Sequence, residues 1–413
     1  MITIINGIVL SGTELEPIKA NILIDDGKIL EISQEVAEGE IIDATNCIVC
    51  PSFLNAHTHI GDSIIKDEGD GKSIEEIVKP PNGIKHLAIS NFSDEDLILA
   101  MENSMWEMLK TGTTHFIDYR EGGVKGVKLL KKASKNIPIS PIILGRDNIF
   151  FDEDPNLSKV KIAIRKLLKN CDGIAPSGFG EITDEVAILI AEKCEKQGKF
   201  SSIHAGEYEK LQQDSIFEFG KTEVERAIEC GFDQLIHVTA PIKEDLDLIA
   251  KNNKNLVICP GSNAMFSNGF PPFLNILERK INPLIGTDNI MINSPNIFRE
   301  LEYTLKSMRA LYKNFIDPQE LIKMPTSNPL LFNYFYKNQI DKNGDIDDDF
   351  NSLIKNNLNI NKSIIEENSY CELMIVKKIS KNPYLSLINR TEKNDIFVII
   401  NKDKVCNFNK IKN

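Results

Sequence analysis

The chain has 413 residues, of which 42% are hydrophobic, and its 48 basic and 60 acidic residues give a net charge of −12. This length supports one large core together with a smaller satellite domain. The acidic balance argues against a broad nucleic-acid or anionic-membrane partner. No segment approaches the roughly 20 apolar residues that a bilayer-spanning helix needs. The first residues show neither a basic leader nor a long apolar run, so we expect no signal peptide.

The eight cysteines are scattered through apolar runs, and only Cys47 and Cys50 form a close pair. A disulfide framework requires regular spacing, and a zinc site of this type requires a second pair. We therefore expect reduced, buried thiols. Together with the acidic charge, this usage predicts a cytoplasmic protein.

Residues 1–50 contain short strand-like runs separated by turn signals such as Asn6-Gly7 and Asp26-Gly27, which predicts a small β module. Over residues 51–335, apolar strand-like runs alternate with amphipathic helical stretches, which favours βα units around a parallel sheet. Eight such strands match the size of an α/β fold of the (β/α)8 TIM-barrel type. The predicted strands are 48–54, 113–119, 139–144, 173–175, 200–203, 234–236, 256–258 and 283–285.

Residues 336–413 begin with a polar excursion at about 340–368 and then return to strand patterning at 370–376, 385–389 and 395–405. We expect these strands to join residues 1–50 in a small β-sandwich-like domain built from both chain termini. The segment 62–91 follows the first barrel strand and is too long for an ordinary loop. Long excursions on that face of a barrel usually shape or cover a site.

Four of the six histidines fall at the ends of predicted strands: His57 and His59 end the first, His204 the fifth and His237 the sixth, while Asp288 follows the eighth. The carboxyl ends of barrel strands meet at one mouth, so we expect these side chains to converge there. Side chains two residues apart on a strand point the same way, so one ion could contact both His57 and His59. Any one of these residues could equally be a polar residue at a strand end with no functional role. The placement of the whole set favours a functional site.

Neutral imidazoles and a carboxylate are ligands for zinc, iron and similar divalent ions. An ion held in this way lowers the pKa of a bound water from about 15.7 toward about 7. Glu207 lies three residues after His204, and a carboxyl group at that place can carry the water's proton to a substrate. A buried pocket favours the protonated form that this role requires.

These motifs resemble the amidohydrolase superfamily of metal-dependent barrels, and within it the branch of cytosine, guanine and S-adenosylhomocysteine deaminases and triazine chlorohydrolases. The resemblance covers essentially the whole chain, although Ser52 stands where the family's entry motif usually has glycine. The residues that carry it are Cys50-Pro51-Ser52-Phe53-Leu54-Asn55-Ala56-His57, His59, His204-Ala205-Gly206-Glu207, His237 and Gly286-Thr287-Asp288.

The resemblance implies one divalent metal ion, Zn²⁺ or alternatively Fe²⁺, bound by His57, His59, His204 and Asp288. It also implies that His237 either completes this ligand set or bonds the metal-bound water. Glu207, His237 and Asp288 are the implied catalytic residues. Dinuclear relatives carry a carbamylated lysine at the end of the fourth strand, and its absence from residues 172–178 favours a single metal.

The implied activity is a deaminase that releases ammonia from a small N-heterocyclic base or nucleoside-like substrate. Two alternatives remain open: a chlorohydrolase or cyclic amide hydrolase using the same site, and a catalytically silent relative that binds a metal or nucleoside. A homodimer or larger homo-oligomer is common among related enzymes. The candidate substrate contacts lie on predicted βα loops, where solvated or capping roles are equally plausible, and they are His86, Arg120, Glu121, Arg146, Ser177 and Asn263.

Overall fold

Seven short strands precede the barrel in the computed structural model, which describes residues 1–80, 82–328 and 364–408. Turn residues with positive φ, such as Asn6 at 64° and Asp26 at 47°, separate several of these strands. Glycine and short polar residues adopt this conformation at low cost, so the turn signals in the sequence fix where the chain reverses. The strands are β1 (Ile2–Ile5), β2 (Ile8–Ser11), β3 (Glu16–Lys19), β4 (Asn21–Asp25), β5 (Lys28–Ser33), β6 (Glu40–Asp43) and β7 (Cys47–Pro51).

The central sheet is entirely parallel and closes into a barrel. Its strands are β8 (Phe53–His59), β9 (Thr113–Arg120), β10 (Ser140–Gly145), β11 (Gly173–Ile174), β12 (Phe200–Ala205), β13 (Gln234–His237), β14 (Asn255–Ile258), β15 (Leu284–Ile285) and β16 (Asp288–Asn289). The order is β15-β14-β13-β12-β11-β10-β9-β8-β16. β15 and β16 belong to one short segment, which pairs with β14 on one side and with β8 on the other and so closes the barrel. The predicted (β/α)8 barrel is confirmed.

The closing segment approaches the first strand very closely. A Cβ atom on Gly286 would lie only 2.6 Å from Cβ of His57, so only glycine fits there without a shift. The next residue, Thr287, donates its backbone N–H to the carbonyl of His57 at 3.1 Å. The side chain of Asn55 adds a 2.7 Å hydrogen bond to the hydroxyl of Thr287. These contacts place Asp288 beside the histidines of β8.

Helices pack around the barrel, and their apolar faces form a continuous core with the outer faces of the strands. The segment 62–91 contains the first two helices. No helix in the described part of the chain is long and apolar enough to cross a membrane. The helices are α1 (Ile74–Val78), α2 (Ile84–Asn91), α3 (Asp94–Leu109), α4 (Gly123–Ser134), α5 (Leu157–Leu168), α6 (Asp184–Glu195), α7 (Glu209–Phe219), α8 (Glu223–Cys230), α9 (Asp245–Lys251), α10 (Pro260–Met265), α11 (Phe273–Glu278), α12 (Ile297–Tyr312) and α13 (Pro318–Lys323).

Both chain ends contribute to the terminal sheets, as predicted. The last elements are β17 (Glu372–Lys377), α14 (Pro383–Arg390), β18 (Ile396–Asn401) and β19 (Lys404–Asn407). One sheet has the order β19-β18-β17-β7-β2-β3 and the other β5-β4-β1-β6, and buried side chains such as Ile4, Val49 and Leu373 form one core shared by them. Most of the predicted polar excursion lies outside the described residues, and the limits 1–50, 51–335 and 336–413 stay a prediction.

Three strand predictions were wrong. The run 395–405 contains two antiparallel strands, β18 and β19, joined by a turn at residues 402–403. The run 48–54 is divided between two sheets, because β7 ends at Pro51 and β8 begins at Phe53. The residue between them, Ser52, donates its backbone N–H to the carbonyl of Glu372 at 3.1 Å. The run 385–389 is helical and lies within α14, whose start is fixed by the Asn382 side chain and by a proline in the first turn.

Replacing Gly173 by alanine tests the packing of β11 against β12. The added Cβ would lie 2.1 Å from the carbonyl oxygen of Phe200, a contact that neither backbone can relieve without moving. We expect urea unfolding to show a loss of about 3 kcal/mol or more in the free energy of unfolding. The matched variant Gly180→Ala, whose Cβ meets Leu211 at an ordinary 3.6 Å, should change stability by less than about 0.5 kcal/mol. Equal stability of the two variants would contradict this strand pairing.

Candidate metal centre

Four side chains converge at the carboxyl ends of the barrel strands: His57 and His59 of β8, His204 of β12 and Asp288 of β16. One nitrogen or oxygen atom from each lies within 4.8 Å of the others. The Nε2 atoms of His57 and His59 lie 3.0 and 3.4 Å from Oδ1 of Asp288. The four residues that the sequence predicted as a ligand set are therefore neighbours in the fold.

The polar atoms of this cluster fit a cation better than they fit one another. Nδ1 of His57 and Nδ1 of His204 have no hydrogen-bond partner among the described residues, and Nε2 of His57 and Oδ1 of Asp288 have only the contact with each other. A buried polar atom without a partner costs about 1–3 kcal/mol, so native proteins rarely leave several together. Three imidazoles and one carboxylate form a donor set that suits zinc or ferrous iron.

The protonation of the cluster also favours metal binding. Burial lowers the pKa of His57 to about 4 and the pKa values of His59 and His204 well below the usual value. Burial acts in the opposite direction on the pKa of Asp288, but the neighbouring His57, His237 and His59 hold it well below its usual range. At neutral pH the cluster thus presents neutral imidazoles and one anionic carboxylate.

A buried carboxylate, Glu121, fixes the ring of His59. Nδ1 of His59 lies 3.1 Å from Oε1 of Glu121, so Nδ1 carries the ring's hydrogen. The lone pair of Nε2 then lies on the side of the ring that faces Asp288. Burial raises the pKa of Glu121, yet three cations hold it well below its usual range. These cations are Lys85, Arg146 and Arg120, with nitrogens 2.8, 2.6 and 2.8 Å from the carboxylate oxygens. The carboxylate is therefore ionised and can accept a hydrogen bond from Nδ1–H of His59.

The carboxylate of Asp288 is held by Ser262, the third residue of α10. The Ser262 hydroxyl donates to Oδ2 of Asp288 at 2.6 Å. This bond leaves Oδ1 facing the histidines, because a carboxylate fixed through one oxygen presents the other. The prediction from sequence did not include Ser262, since α10 was not predicted as a helix.

His237 lies beside the cluster and faces Glu207. Its Nδ1 atom is 3.3 Å from Oδ1 of Asn263, whose amide nitrogen donates to the hydroxyl of Thr239 at 2.6 Å. The orientation of this amide makes Nδ1 of His237 the hydrogen-bond donor in this contact. The other nitrogen, Nε2, lies 3.7 Å from Oε2 of Glu207. His237 is absent from the group whose donor atoms converge.

A pocket opens beside the cluster. His59, His204, His237 and Asp288 contribute to its lining together with Glu207. The segment 62–91 contributes one wall through three residues of α1 and two further lysines. These wall residues are Ile74, Glu75, Val78, Lys79 and Lys85.

The predicted substrate contacts occupy different places. Arg146 and Ser177 line the pocket. His86, Arg120 and Glu121 line a second pocket. Asn263 contacts Nδ1 of His237. Glu181 and Tyr208 also line the pocket, although neither was predicted from the sequence. Both follow the ends of barrel strands by several residues, so their position after β11 and β12 was the available signal.

A barrel that buries three histidines and one aspartate at the carboxyl ends of its strands has the architecture of a metal-dependent hydrolase. The family comparison agrees with this class. The model of the amidohydrolase family matches residues 48–339. The chain belongs to the amidohydrolase family, which confirms the resemblance inferred from the motifs.

Proteins of similar sequence support this assignment. A protein of Methanothermobacter thermautotrophicus, provisionally described as an aminohydrolase, is 43% identical over 406 residues, which are 98% of this chain and 99% of the relative. A 5-methylthioadenosine/S-adenosylhomocysteine deaminase of Caldicellulosiruptor saccharolyticus is 26% identical over 333 residues and 76% of each chain. The fold is also similar to that of atrazine chlorohydrolase from Arthrobacter aurescens TC1 complexed with zinc, with a TM-score of 0.78, 15% identity and coverage of 98% and 95%.

Replacing Ser262 by alanine should weaken metal binding without removing a ligand. Loss of its hydrogen bond frees the carboxylate of Asp288 to rotate, and such supporting contacts typically contribute 10- to 100-fold in metal affinity. Competition with a chromophoric chelator measures the zinc dissociation constant directly. The matched variant is Ser104→Ala in α3, because Ser104 is equally buried but its hydroxyl has no partner among the described residues. If both variants bind zinc as tightly as the wild type, Ser262 does not position Asp288.

Proposed function

We propose that the protein is a mononuclear metal-dependent aminohydrolase that deaminates an N-heterocyclic base or nucleoside-like substrate. The observation that carries this proposal is the position of Glu207, a protonatable carboxyl group. It lines the same pocket as three of the candidate metal ligands, His59, His204 and Asp288. The relative from Caldicellulosiruptor saccharolyticus, named as a deaminase of two adenosine derivatives, supports the same reaction class.

In this proposal His57, His59, His204 and Asp288 hold one metal ion. Zn²⁺ suits a set of imidazole and carboxylate ligands, and Fe²⁺ is the alternative. When bound, the ion supplies an acidified water at neutral pH and polarises the reacting ring. A single ion is favoured because the described residues contain one such converging group and because β11 provides no lysine.

Glu207 has the contacts of a proton carrier. Its Oε1 atom accepts a hydrogen bond from the amide of Asn268 at 3.1 Å, which fixes the carboxyl group in the pocket. Burial raises the pKa of Glu207 to about 7, with the charge of Asp288 acting in the same direction. A carboxyl group with this pKa both holds and releases a proton near neutral pH, as a general acid and base must.

The proposed reaction is a hydrolytic substitution. The oxygen of water bonds to the ring carbon that carries the amino group, and the carbon–nitrogen bond to that amino group then breaks. Glu207 takes one proton from the water and delivers it to the ring nitrogen beside the reacting carbon. The second proton of the water passes from the new hydroxyl to the leaving amino group. Ammonia therefore leaves, and the ring carries a carbonyl oxygen and an N–H. His237, held by Asn263, orients the attacking water through its Nε2 atom.

Changing Glu207 to glutamine should abolish the proton transfer while keeping the shape of the side chain. We expect the rate of ammonia release to fall by about 10²–10⁴-fold, with zinc content unchanged because Glu207 is outside the converging group. A coupled ammonia assay over purines, pyrimidines and nucleosides provides the measurement. The control is Glu209→Gln, because Glu209 is an exposed acid at the start of α7. Full turnover by Glu207→Gln would remove this residue from the mechanism.

Metal removal provides an independent test. Dialysis against a chelator should abolish ammonia release, and titration with Zn²⁺ or Fe²⁺ should restore it with a break at one equivalent per chain. The metal-free protein should also unfold at lower urea concentration, because an ion that binds only the folded state stabilises that state. A break at two equivalents would contradict the mononuclear site. Release of chloride from chlorinated triazines, or opening of a cyclic amide, in place of ammonia would contradict the deaminase assignment.

A further inference from the structure

Glu207 is attached to the barrel through a sharp turn at one glycine. β12 ends at Ala205, and the next residue, Gly206, has a φ of 60°. Glycine adopts this left-handed conformation at low cost, whereas other residues rarely do. The carbonyl of Gly206 accepts a hydrogen bond from the backbone N–H of Ala240 at 2.9 Å. Because Glu207 follows directly, the direction in which its side chain leaves the backbone depends on how the peptide groups of Gly206 are held.

The other side of this turn is held by the side chain of Glu223. Its Oε2 atom accepts a hydrogen bond from the backbone N–H of Gly206 at 2.8 Å. Glu223 is the first residue of α8 and is only 2% exposed, and Gly206 is buried as well. A buried donor that loses its acceptor destabilises the conformation that leaves it unpaired. The backbone before Glu207 is therefore tied to α8 by this bond.

A buried network fixes Glu223 in turn. The backbone N–H of Glu223 donates to Oε1 of Gln212 at 2.9 Å, and the amide nitrogen of Gln212 donates to Oδ2 of Asp245 at 2.8 Å. The other oxygen of Asp245 accepts from the hydroxyl of Thr222, the residue before Glu223, at 2.6 Å. These bonds connect α7, α8 and α9, and none of the three supporting side chains lines the pocket. The place of Glu223 is therefore set by the fold and does not depend on a bound substrate.

We propose that Glu223 is a positioning residue for the proton carrier Glu207. Through its hydrogen bond to Gly206, it sets the place from which Glu207 reaches the attacking water and the substrate. Asn268 fixes the carboxyl end of the Glu207 side chain, and Glu223 fixes the backbone end. Proton transfer requires both partners within hydrogen-bond distance, so a misplaced carrier slows the reaction more than it weakens substrate binding. The inference rests on the proposed deaminase function.

The first test compares two substitutions of Glu223 in the zinc-loaded protein, on whichever of adenosine, guanine and cytosine gives the fastest ammonia release. We expect Glu223→Ala to lower kcat by about 10- to 100-fold and to change KM by less than about 3-fold. Glu223→Gln keeps an oxygen that can accept the N–H of Gly206, so its kcat should stay within about 3-fold of the wild type. A loss in Glu223→Ala that appears only in KM, or an equal loss in both variants, would overturn the proposal.

The second test shows whether Glu223 acts through Glu207. In the Glu207→Gln background, Glu223→Ala should lower the remaining rate by less than about 3-fold, because no proton carrier is left to misplace. The same 10- to 100-fold loss in both backgrounds, expected of a residue that acts on the substrate itself or on the whole fold, would contradict the proposal.

A matched control is Glu225→Ala, on the same turn of α8. The carboxyl group of Glu225 accepts the backbone N–H of Thr222 at 2.6 Å and completes a capping box. Its loss weakens the start of the helix but leaves the bond to Gly206 in place. Glu225→Ala should therefore lower the thermal midpoint while keeping kcat within about 2-fold of the wild type. A loss of kcat equal to that of Glu223→Ala would assign the effect to helix stability.

Two further measurements keep the result clear. Glu223→Asp keeps an acid at the start of α8 but withdraws it by one methylene group, so it should show the loss of kcat even if Glu223→Ala does not fold. Amide hydrogen exchange over residues 203–209 should become faster in Glu223→Ala and stay at the wild-type rate in Glu223→Gln. Unchanged exchange in Glu223→Ala would show that the bond does not hold the turn. If the wild type releases no ammonia from any probe, the deaminase proposal itself fails, and the exchange measurement still tests the hydrogen bond.

Discussion

The close approach of the closing segment to the first barrel strand sets the geometry of the site. Gly286 lies so near His57 that any side chain would have to displace the strand, and Thr287 bonds to the backbone of His57 directly. Because Asp288 follows immediately, its carboxylate enters the barrel mouth beside the two histidines of β8. Barrel closure and assembly of the donor set are therefore one structural event.

Electrostatics around Glu121 complete this arrangement. A carboxylate buried alone would gain a proton, and a protonated Glu121 could not fix the tautomer of His59 in the same way. Lys85, Arg120 and Arg146 prevent this by their close ion pairs. One of these cations, Lys85, belongs to α2 in the segment 62–91. This segment therefore helps to hold Glu121 against His59 and also forms part of the pocket wall.

The sequence predicted the barrel and the converging residues because both depend on local patterns. Strands alternating with helices define the fold class, and a polar residue at a strand end is visible without knowing its neighbours. Ser262 could not be found in this way, since its importance depends on Asp288, which lies 26 positions further along the chain. The strand prediction at 385–389 was wrong because the apolar spacing of this run is compatible with a strand or a helix. The N-cap at Asn382 favours the helix.

The candidate metal ligands and the walls of the pocket have different consequences for function. Three imidazoles and one carboxylate suit any hydrolysis that uses a polarised water. They therefore define the class of reaction but not the identity of the substrate. Recognition of a substrate requires atoms that only that substrate can satisfy, because leaving them unpaired is costly. Arg146 and Glu181 lie on the walls of the pocket, and they follow different strands from the histidines. Because Arg146 also pairs with Glu121, which contacts His59, a change at Arg146 would affect a candidate metal ligand as well as the pocket wall.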